Sequence, residues 1–196
     1  MPRQKPRSGG RPNPHTAERG RHRTTPEGDL REILAGIESP FILVLDGVQD
    51  PHNLGAILRS ADGAGIDLVI APRDRAVGVT EVVRRISVGA ADHVRFMRVT
   101  NLARTMDELK DAGIWMVGTS DRGGKSLYEA DLKGPLGIVM GAEGPGLRRL
   151  TEEKCDFLVK IPMQGRVECL NVSVATGVCL FEALRQRGDG GLQGRG

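Results

Sequence analysis

Short apolar runs alternate along this sequence with longer stretches in which apolar residues recur every three or four positions. Six runs predict buried strands, because each is short, rich in β-branched residues and bounded by Gly, Pro or a polar residue. They are FILVLDG (41–47), DLVIAP (67–72), VRFMRV (94–99), IWMVGTS (114–120), LGIVMG (136–141) and DFLVKIP (156–162).

The segments between these strands favour helices. Asn101 is typical of a helix N-cap, and the following apolar residues share one face of a helix that ends at Gly113. The other helix candidates are residues 53–64, 80–90 and 172–186. Strand–helix alternation predicts an α/β domain with a mostly parallel sheet covered by helices on both faces. Ligands of such sheets bind at the carboxyl ends of the strands, so the strand-end loops are the candidate site.

Positive charge is concentrated at the start of the chain. Residues 1–23 hold seven Lys/Arg and one acid, Glu18, so they carry about +6, whereas the whole chain carries +3. A segment rich in Arg, Pro and Gly without apolar periodicity cannot bury enough surface to offset its ordering entropy. We therefore expect residues 1–38 to be a basic, largely disordered tail and linker, residues 39–188 to be one domain, and residues 189–196 to be a second disordered tail.

Several protein classes are disfavoured by what the sequence contains. No apolar run approaches the roughly 18 residues of a membrane span, and the first residues do not have the apolar core of a signal peptide. The three cysteines, Cys155, Cys169 and Cys179, have no CxxC spacing, and only His52 and His93 lie beyond the basic tail. This argues against a metal site. A cytoplasmic protein whose cysteines are small core residues fits this composition.

The stretch GTSDRGGKS (118–126) is close to a phosphate-binding P-loop, and FILVLD is close to the strand and Asp46 of a magnesium site. A P-loop requires four residues between its glycines before Lys-Ser, and Thr119 stands where the first glycine belongs. The segment that follows is too short for the helix that would hold the phosphates. A nucleotide triphosphatase is therefore disfavoured.

The loop MGAEGPGL (140–147) contains three glycines after a predicted strand. Closely spaced glycines either form a tight turn or let the backbone approach a ligand, and the sequence alone leaves both interpretations open. Glu143, within this loop, is either a solvated turn residue or part of a site.

Four further polar residues have two interpretations. Asn53 could cap a helix in which Arg59 is a surface cation. Asn171 and Ser173 lie among apolar residues at the start of the helix predicted over 172–186. Either could cap that helix, but one cap requires only one of them, so the other could belong to a site.

Three segments together resemble the motifs of the SPOUT-class RNA ribose 2′-O-methyltransferases. They are HNLGAILRSADGAG, IVMGAEGPGLRRL and KIPMQGRVECLNVSVATGVCLFEALRQR, in this order and spacing. The resemblance extends from about Phe41 to Arg187 and is closest to the branch that methylates a guanosine of 23S rRNA. It implies an α/β sheet with a C-terminal trefoil knot, whereas general topology rules would predict no knot.

The resemblance also implies a cofactor, S-adenosylmethionine, bound in the knot without any metal. The residues implied to contact it or lie beside it are Gly118, Thr119, Gly141, Ile161, Met163 and Leu170.

By match of motif, the implied catalytic residues are Asn53, Arg59, Glu143, Asn171 and Ser173. A guanidinium stays protonated, so Arg59 is expected to pair with the target phosphate rather than act as a base. Glu143 is expected to hold Arg59 or the loop, and the remaining three residues to orient the nucleotide. Much of the rate should then come from positioning.

The implied partners are RNA, with 23S rRNA favoured, and a second copy of the chain in a homodimer whose active site is shared between subunits. The alternatives are a tRNA substrate, or a non-catalytic RNA-binding or ribosome-assembly module that keeps the fold. Two departures from the family pattern matter. Cys169 stands where the family commonly has Ser, and no N-terminal RNA-binding domain of the L30e type precedes the motifs. The basic tail could replace that domain, a partner could present the RNA, or the chain could be a fragment.

Overall fold

The computed structural model describes residues 30–188, which contain a seven-stranded parallel sheet. Its strands in chain order are Phe41–Asp46 (β1), Leu68–Pro72 (β2), Phe96–Val99 (β3), Trp115–Thr119 (β4), Lys125–Ser126 (β5), Leu136–Gly141 (β6) and Phe157–Lys160 (β7). Their order across the sheet is β3-β2-β1-β6-β4-β7-β5, and every neighbouring pair is parallel. All carboxyl ends of the strands therefore lie along one edge.

Helices connect the strands. They are Leu30–Leu34 (α1), Pro51–Ala64 (α2), Glu81–Ser87 (α3), Ala90–His93 (α4), Leu102–Asp111 (α5), Arg149–Lys154 (α6) and Val172–Gly188 (α7), with a 3₁₀ turn at Leu127–Glu129. Among the described residues, none of these helices combines the length and the apolar character that a membrane crossing requires.

The sheet separates two apolar cores, which explains why its strands are apolar throughout rather than alternating. In β1, Leu43 and Leu45 pack with α2, α3 and α7, whereas Ile42 and Val44 pack with α1 and α5 on the opposite face. All six residues of β1 are buried. The predicted α/β class and the helix-covered parallel sheet are confirmed, and the six predicted strands are all present.

Two predicted helix boundaries were wrong. The segment 80–90 is not one helix, because Val88 adopts a left-handed φ of 53° that ends α3 after Ser87. The Ser87 hydroxyl then accepts the Ala91 N–H at 3.2 Å and so begins α4. Asn53 is not the N-cap of α2, since the Asp50 carboxylate accepts the His52 N–H at 2.9 Å.

The predicted tails at residues 1–29 and 189–196 lie outside the described residues, so their disorder and the domain division remain predictions. The last part of the expected linker is ordered. Residues 30–34 form α1, and the Leu30 side chain is buried in the core beside α5.

Candidate active site

Three loops from distant parts of the sequence meet at the carboxyl edge of the sheet. β1 and β6 are neighbours, with Asp46 opposite Gly141, so the loops that leave these strands start side by side. The first carries Asn53 on the opening turn of α2, and the second carries Glu143. The third segment brings Asn171 to the start of α7.

The side chains of Asn53, Glu143 and Asn171 form one hydrogen-bonded unit, which we call the polar cluster. Asn53 Nδ2 donates to Glu143 Oε2 at 3.2 Å, and Asn171 Nδ2 donates to Glu143 Oε1 at 2.5 Å. Asn171 Nδ2 also donates to Asn53 Oδ1 at 3.1 Å. Each side chain of the polar cluster thus contacts both others, across as many as 118 residues of sequence.

Ser173 is held against the polar cluster by Asn171. The Oδ1 atom of Asn171 accepts the Ser173 N–H at 2.9 Å and the Ser173 hydroxyl at 2.6 Å. The Asn171 side chain thus caps α7 through its amide oxygen, while its amide nitrogen belongs to the polar cluster. Asn53 has a second amide hydrogen, and Glu143 and Ser173 have further lone pairs, with which they could bind sugar hydroxyls.

The glycine-rich loop after β6 has a fixed shape. Gly144 and Gly146 have φ values of 82° and 70°, and Ala142 and Gly146 exchange two main-chain hydrogen bonds of 3.0 Å. Gly141 cannot carry a side chain, since a Cβ there would overlap the main chain of Gly146 and Leu147. These glycines are required for a tight turn.

An ion pair between exposed Arg148 and buried Asp46 anchors the other end of this loop. The Asp46 carboxylate, 1% exposed, accepts hydrogen bonds from Arg148 N at 3.0 Å and Arg148 Nε at 2.5 Å. Asp46 and Arg148 are 102 residues apart, and the only sequence signal was a charged residue at the end of an otherwise apolar strand. Asp46 therefore shapes the loop.

A cavity of about 950 Å³ opens beside the polar cluster. Five of the six residues predicted to be near a cofactor line it, namely Thr119, Gly141, Ile161, Met163 and Leu170. Gly118 does not line it. A Cβ at Gly118 would lie 2.7 Å from Cys155 Sγ and from Leu158 Cδ2, so this glycine permits close packing beneath the cavity.

Arg59 is not bonded to the other four predicted catalytic residues. It is exposed on α2 and makes no hydrogen bond or ion pair with any described residue. Glu143 bonds to Asn53 and Asn171, and it does not pair with Arg59 within this chain.

The three cysteines have different environments. Burial raises the pKa of both Cys155 and Cys179 to about 12, and Cys179 is fully buried as predicted for a core residue. Cys169 is exposed and lines the cavity, so the prediction that it is a core residue was wrong. Within residues 30–188, no group of three or more His, Cys, Asp or Glu side chains is arranged to hold a metal ion.

Comparison with known sequences gives consistent results. The SpoU rRNA methylase family matches residues 40–181. The chain is 61% identical over 161 residues to the 23S rRNA (guanosine-2′-O-)-methyltransferase RlmB of Shewanella oneidensis, covering 82% of this chain and 65% of that protein. It is 61% identical over 160 residues to the enzyme of the same name from Ralstonia nicotianae, covering 81% and 64%. The chain thus spans about two thirds of the length of these relatives.

Solved structures resemble the fold. The SpoU methyltransferase AviRb from Streptomyces viridochromogenes, in complex with AdoMet, has a TM-score of 0.73 at 32% identity, covering 81% of this chain and 64% of that one. The A. aeolicus TrmH/SpoU tRNA modifying enzyme has a TM-score of 0.72 at 31% identity, covering 84% and 83%.

The family match covers well over half of the sequence and includes all three loops that meet at the carboxyl edge. The expected resemblance is thereby confirmed, and the chain belongs to the SpoU rRNA methylase family.

Proposed function

We propose that this protein transfers a methyl group from S-adenosylmethionine to the ribose 2′-hydroxyl of a guanosine in 23S rRNA. The observation that carries the proposal is the convergence of Asn53, Glu143 and Asn171, from three separate motifs, beside a ligand-sized cavity. The identity of 61% to relatives named for this reaction supports the substrate.

The cavity residues suit the cofactor. A volume of about 950 Å³ lies within the roughly 300–1,000 Å³ range of small-molecule sites. Gly141 offers main chain without a side chain in the way, and Ile161 and Leu170 offer apolar contact. S-adenosylmethionine would supply an electrophilic methyl group there. The binding roles of these residues are part of the proposal.

In the proposed reaction, the polar cluster and Ser173 orient the target ribose. Glu143 fixes both asparagine amides, so the groups that meet the sugar need little reorganisation when substrate binds. The free lone pairs of Glu143 and Ser173 would accept hydrogen bonds from ribose hydroxyls. The 2′-hydroxyl would release its proton to the adjacent phosphate. Arg59, a permanent cation, would bind the adjacent phosphate.

The position of Arg59 supports a homodimer with a shared site. Because Arg59 is not bonded to the polar cluster of its own chain, we propose that it serves the active site of the partner subunit. An exposed apolar strip lies nearby, since Val174 and Phe181 on one face of α7 are 52% and 50% exposed. Gly63 of α2 lies against Phe181, so this strip and α2 form one continuous surface.

We further propose that residues 161–171 pass through a trefoil knot. The support is topological: β6 lies between β1 and β4, β7 lies beyond β4, and α7 then packs back on α2 and β6. We also propose a cytoplasmic location, where ribosomal RNA is modified.

The test of the function is methyl transfer from radiolabelled S-adenosylmethionine to transcripts of 23S rRNA and of tRNA, with the modified nucleoside identified by mass spectrometry. We expect 2′-O-methylguanosine in 23S rRNA. Methylation of tRNA alone would show that the substrate is tRNA and not 23S rRNA. Cofactor-independent RNA binding without transfer would favour a non-catalytic module.

The shared site is tested by mixing subunits. Arg59→Ala and Asn171→Ala proteins, each strongly impaired alone, should regain part of the activity after joint unfolding and refolding, because some heterodimers would hold one intact site. Inactive heterodimers, verified by differential tags and still able to bind cofactor, would contradict sharing.

A further inference from the structure

The loop between β2 and α3, residues 73–79, lies at the same edge of the sheet as the polar cluster. Two main-chain hydrogen bonds fix it, from Arg73 N to Val99 O at 2.8 Å and from Val77 N to Val48 O at 3.0 Å. The loop also lies close to the loop that carries Glu143, with Gly47 between the two. A Cβ at Gly47 would lie 3.8 Å from the Arg75 carbonyl oxygen and 3.5 Å from the Ala142 side chain. Ala142 directly precedes Glu143.

Arg98 supports this loop from beneath. Its Nη2 atom donates to the carbonyl oxygens of Arg73 and Ala76, the latter at 3.3 Å, while Arg73 Nε donates back to the Arg98 carbonyl at 3.3 Å. A Cβ at Gly78 would lie 3.2 Å from Arg98 Nη1, so glycine makes room for the guanidinium. The main chain of the loop thus packs around the guanidinium group of Arg98.

The supported loop presents two further arginines to solvent. Arg73 and Arg75 are exposed, and neither makes an ion pair with any described residue. Arg75 has a left-handed φ of 56°, which costs energy for a residue other than glycine. Asp74 is the only acid within the loop, so the loop together with Arg98 has a net charge of +2.

We infer that Arg73 and Arg75 bind backbone phosphates of the RNA beside the target nucleotide, with Arg98 as the residue that positions the loop. This inference rests on the proposed function. Exposed arginines that are held in place next to the polar cluster, without an acidic partner, have the chemistry of phosphate contacts, which fix the register of a nucleic acid without reading its sequence.

The test compares two double variants of the full chain that each remove two positive charges. Arg73→Gln/Arg75→Gln changes the loop, whereas Arg31→Gln/Arg95→Gln changes one exposed arginine on α1 and one at the amino end of β3, both outside the loop. Affinity for a 23S rRNA transcript is measured by filter binding over a range of salt concentrations. Cofactor affinity, by calorimetry, and melting temperature are measured for the same proteins.

For the loop variant we expect RNA affinity at 0.1 M salt to fall roughly tenfold or more. The salt slope should fall by about 0.7–0.9 for each phosphate that the variant no longer binds. Cofactor affinity should not change. Equal RNA affinity and equal salt slope in the two double variants would overturn the loop inference alone. If the unaltered chain neither binds nor methylates the transcript, the proposed function and this inference are both overturned.

Discussion

The two ends of α7 both carry polar side chains, but they use them differently. At the first turn, Asn171 is exposed and bonds to other polar side chains, Asn53 and Glu143. At the last turn, Gln186 is 8% exposed and bonds mainly to main chain. Its Nε2 donates to Ala130 O at 3.1 Å and to Glu182 Oε1 at 2.8 Å, and its Oε1 accepts the Leu132 N–H at 2.9 Å.

Arg187, next to Gln186 at the last turn, also bonds to main-chain groups. Its guanidinium donates to the Ser39 carbonyl oxygen at 2.7 Å and to the Gly134 carbonyl oxygen, and lies 4.7 Å from the centre of the Phe41 ring. Desolvation lowers the pKa of Arg187 below its usual value. Because Gln186 and Arg187 satisfy otherwise unpaired main-chain groups, removing them costs folding energy. The first end of the helix is open to solvent, so its polar groups are accessible to the ligand of the proposed site.

The largest effect should follow from Asn171→Ala. Removing the side chain that links Asn53, Glu143 and Ser173 should lower methyl transfer about 10²–10³-fold, in the range of losing one positioned transition-state donor. The free energy of unfolding should fall by about 1 kcal/mol, because Asn171 also caps α7, and this loss is too small to explain the loss of activity. Rates and thermal melts measure the two quantities.

Asn101→Ala is the matched control for this prediction. The Asn101 side chain caps α5 by accepting Arg104 N–H at 3.1 Å, and Asn101 does not line the cavity. It should lose about 1 kcal/mol of stability and keep full activity. Unchanged activity of Asn171→Ala would contradict a role for the first end of α7 in the proposed site.

A smaller loss of activity, about 10²-fold, should follow from Gly141→Ala. The new Cβ would overlap the main chain of Gly146 and Leu147, which forces the loop that carries Glu143 to shift. Cofactor affinity by calorimetry should fall in parallel. Gly124→Ala is the control, since a Cβ at Gly124 meets no atom within 4 Å. Equal behaviour of the two variants would contradict a fixed loop.

At the other end of α7, Arg187→Ala should act on stability. We expect a loss of about 2–3 kcal/mol, because two partly buried carbonyl groups lose a charged donor, and a melting temperature lower by roughly 4–12 °C. Activity per folded molecule should remain. Arg104→Ala, which breaks an exposed pair with Glu108, should cost under about 1 kcal/mol. If Arg187→Ala melts normally and loses activity, the two ends of α7 do not differ as described.

The last prediction concerns the reactivity of the three thiols, and it is expected to have the smallest effect on the protein. At pH 7.5 a maleimide should modify exposed Cys169, whereas Cys155 and Cys179 stay protonated because burial raises their pKa to about 12. Mass spectrometry should find one adduct within residues 30–188, and added S-adenosylmethionine should slow its formation. Cys169→Ser should abolish labelling. Rapid modification of Cys179 would contradict the buried environment.

The fold was predictable from the sequence because strands buried on both faces are continuously apolar, and those runs are separated by helical patterns. β5 was missed since its two residues, Lys125 and Ser126, have no apolar pattern. The break after α3 was missed because it depends on a left-handed valine, Val88, which no local rule anticipates.

The site was predictable to the extent that motifs identify it. Matching loops named Asn53, Glu143 and Asn171, but only their geometry reveals that each bonds to the other two. The Asp46–Arg148 pair and the bond from Arg187 to Ser39 join residues more than 100 positions apart, so no local pattern could indicate them. That Arg59 is not bonded to the polar cluster likewise required the three-dimensional structure.

The most direct test of the account is a double-mutant cycle on methyl transfer, using Asn53→Ala, Asn171→Ala and the combined variant. If the polar cluster acts as one unit, the combined variant should be no slower than the slower single variant, because either change already disrupts the shared hydrogen bonds. Single-turnover rates on the 23S rRNA transcript measure this. Rate losses that multiply in the combined variant would show that the two asparagines act independently and would contradict the proposed site.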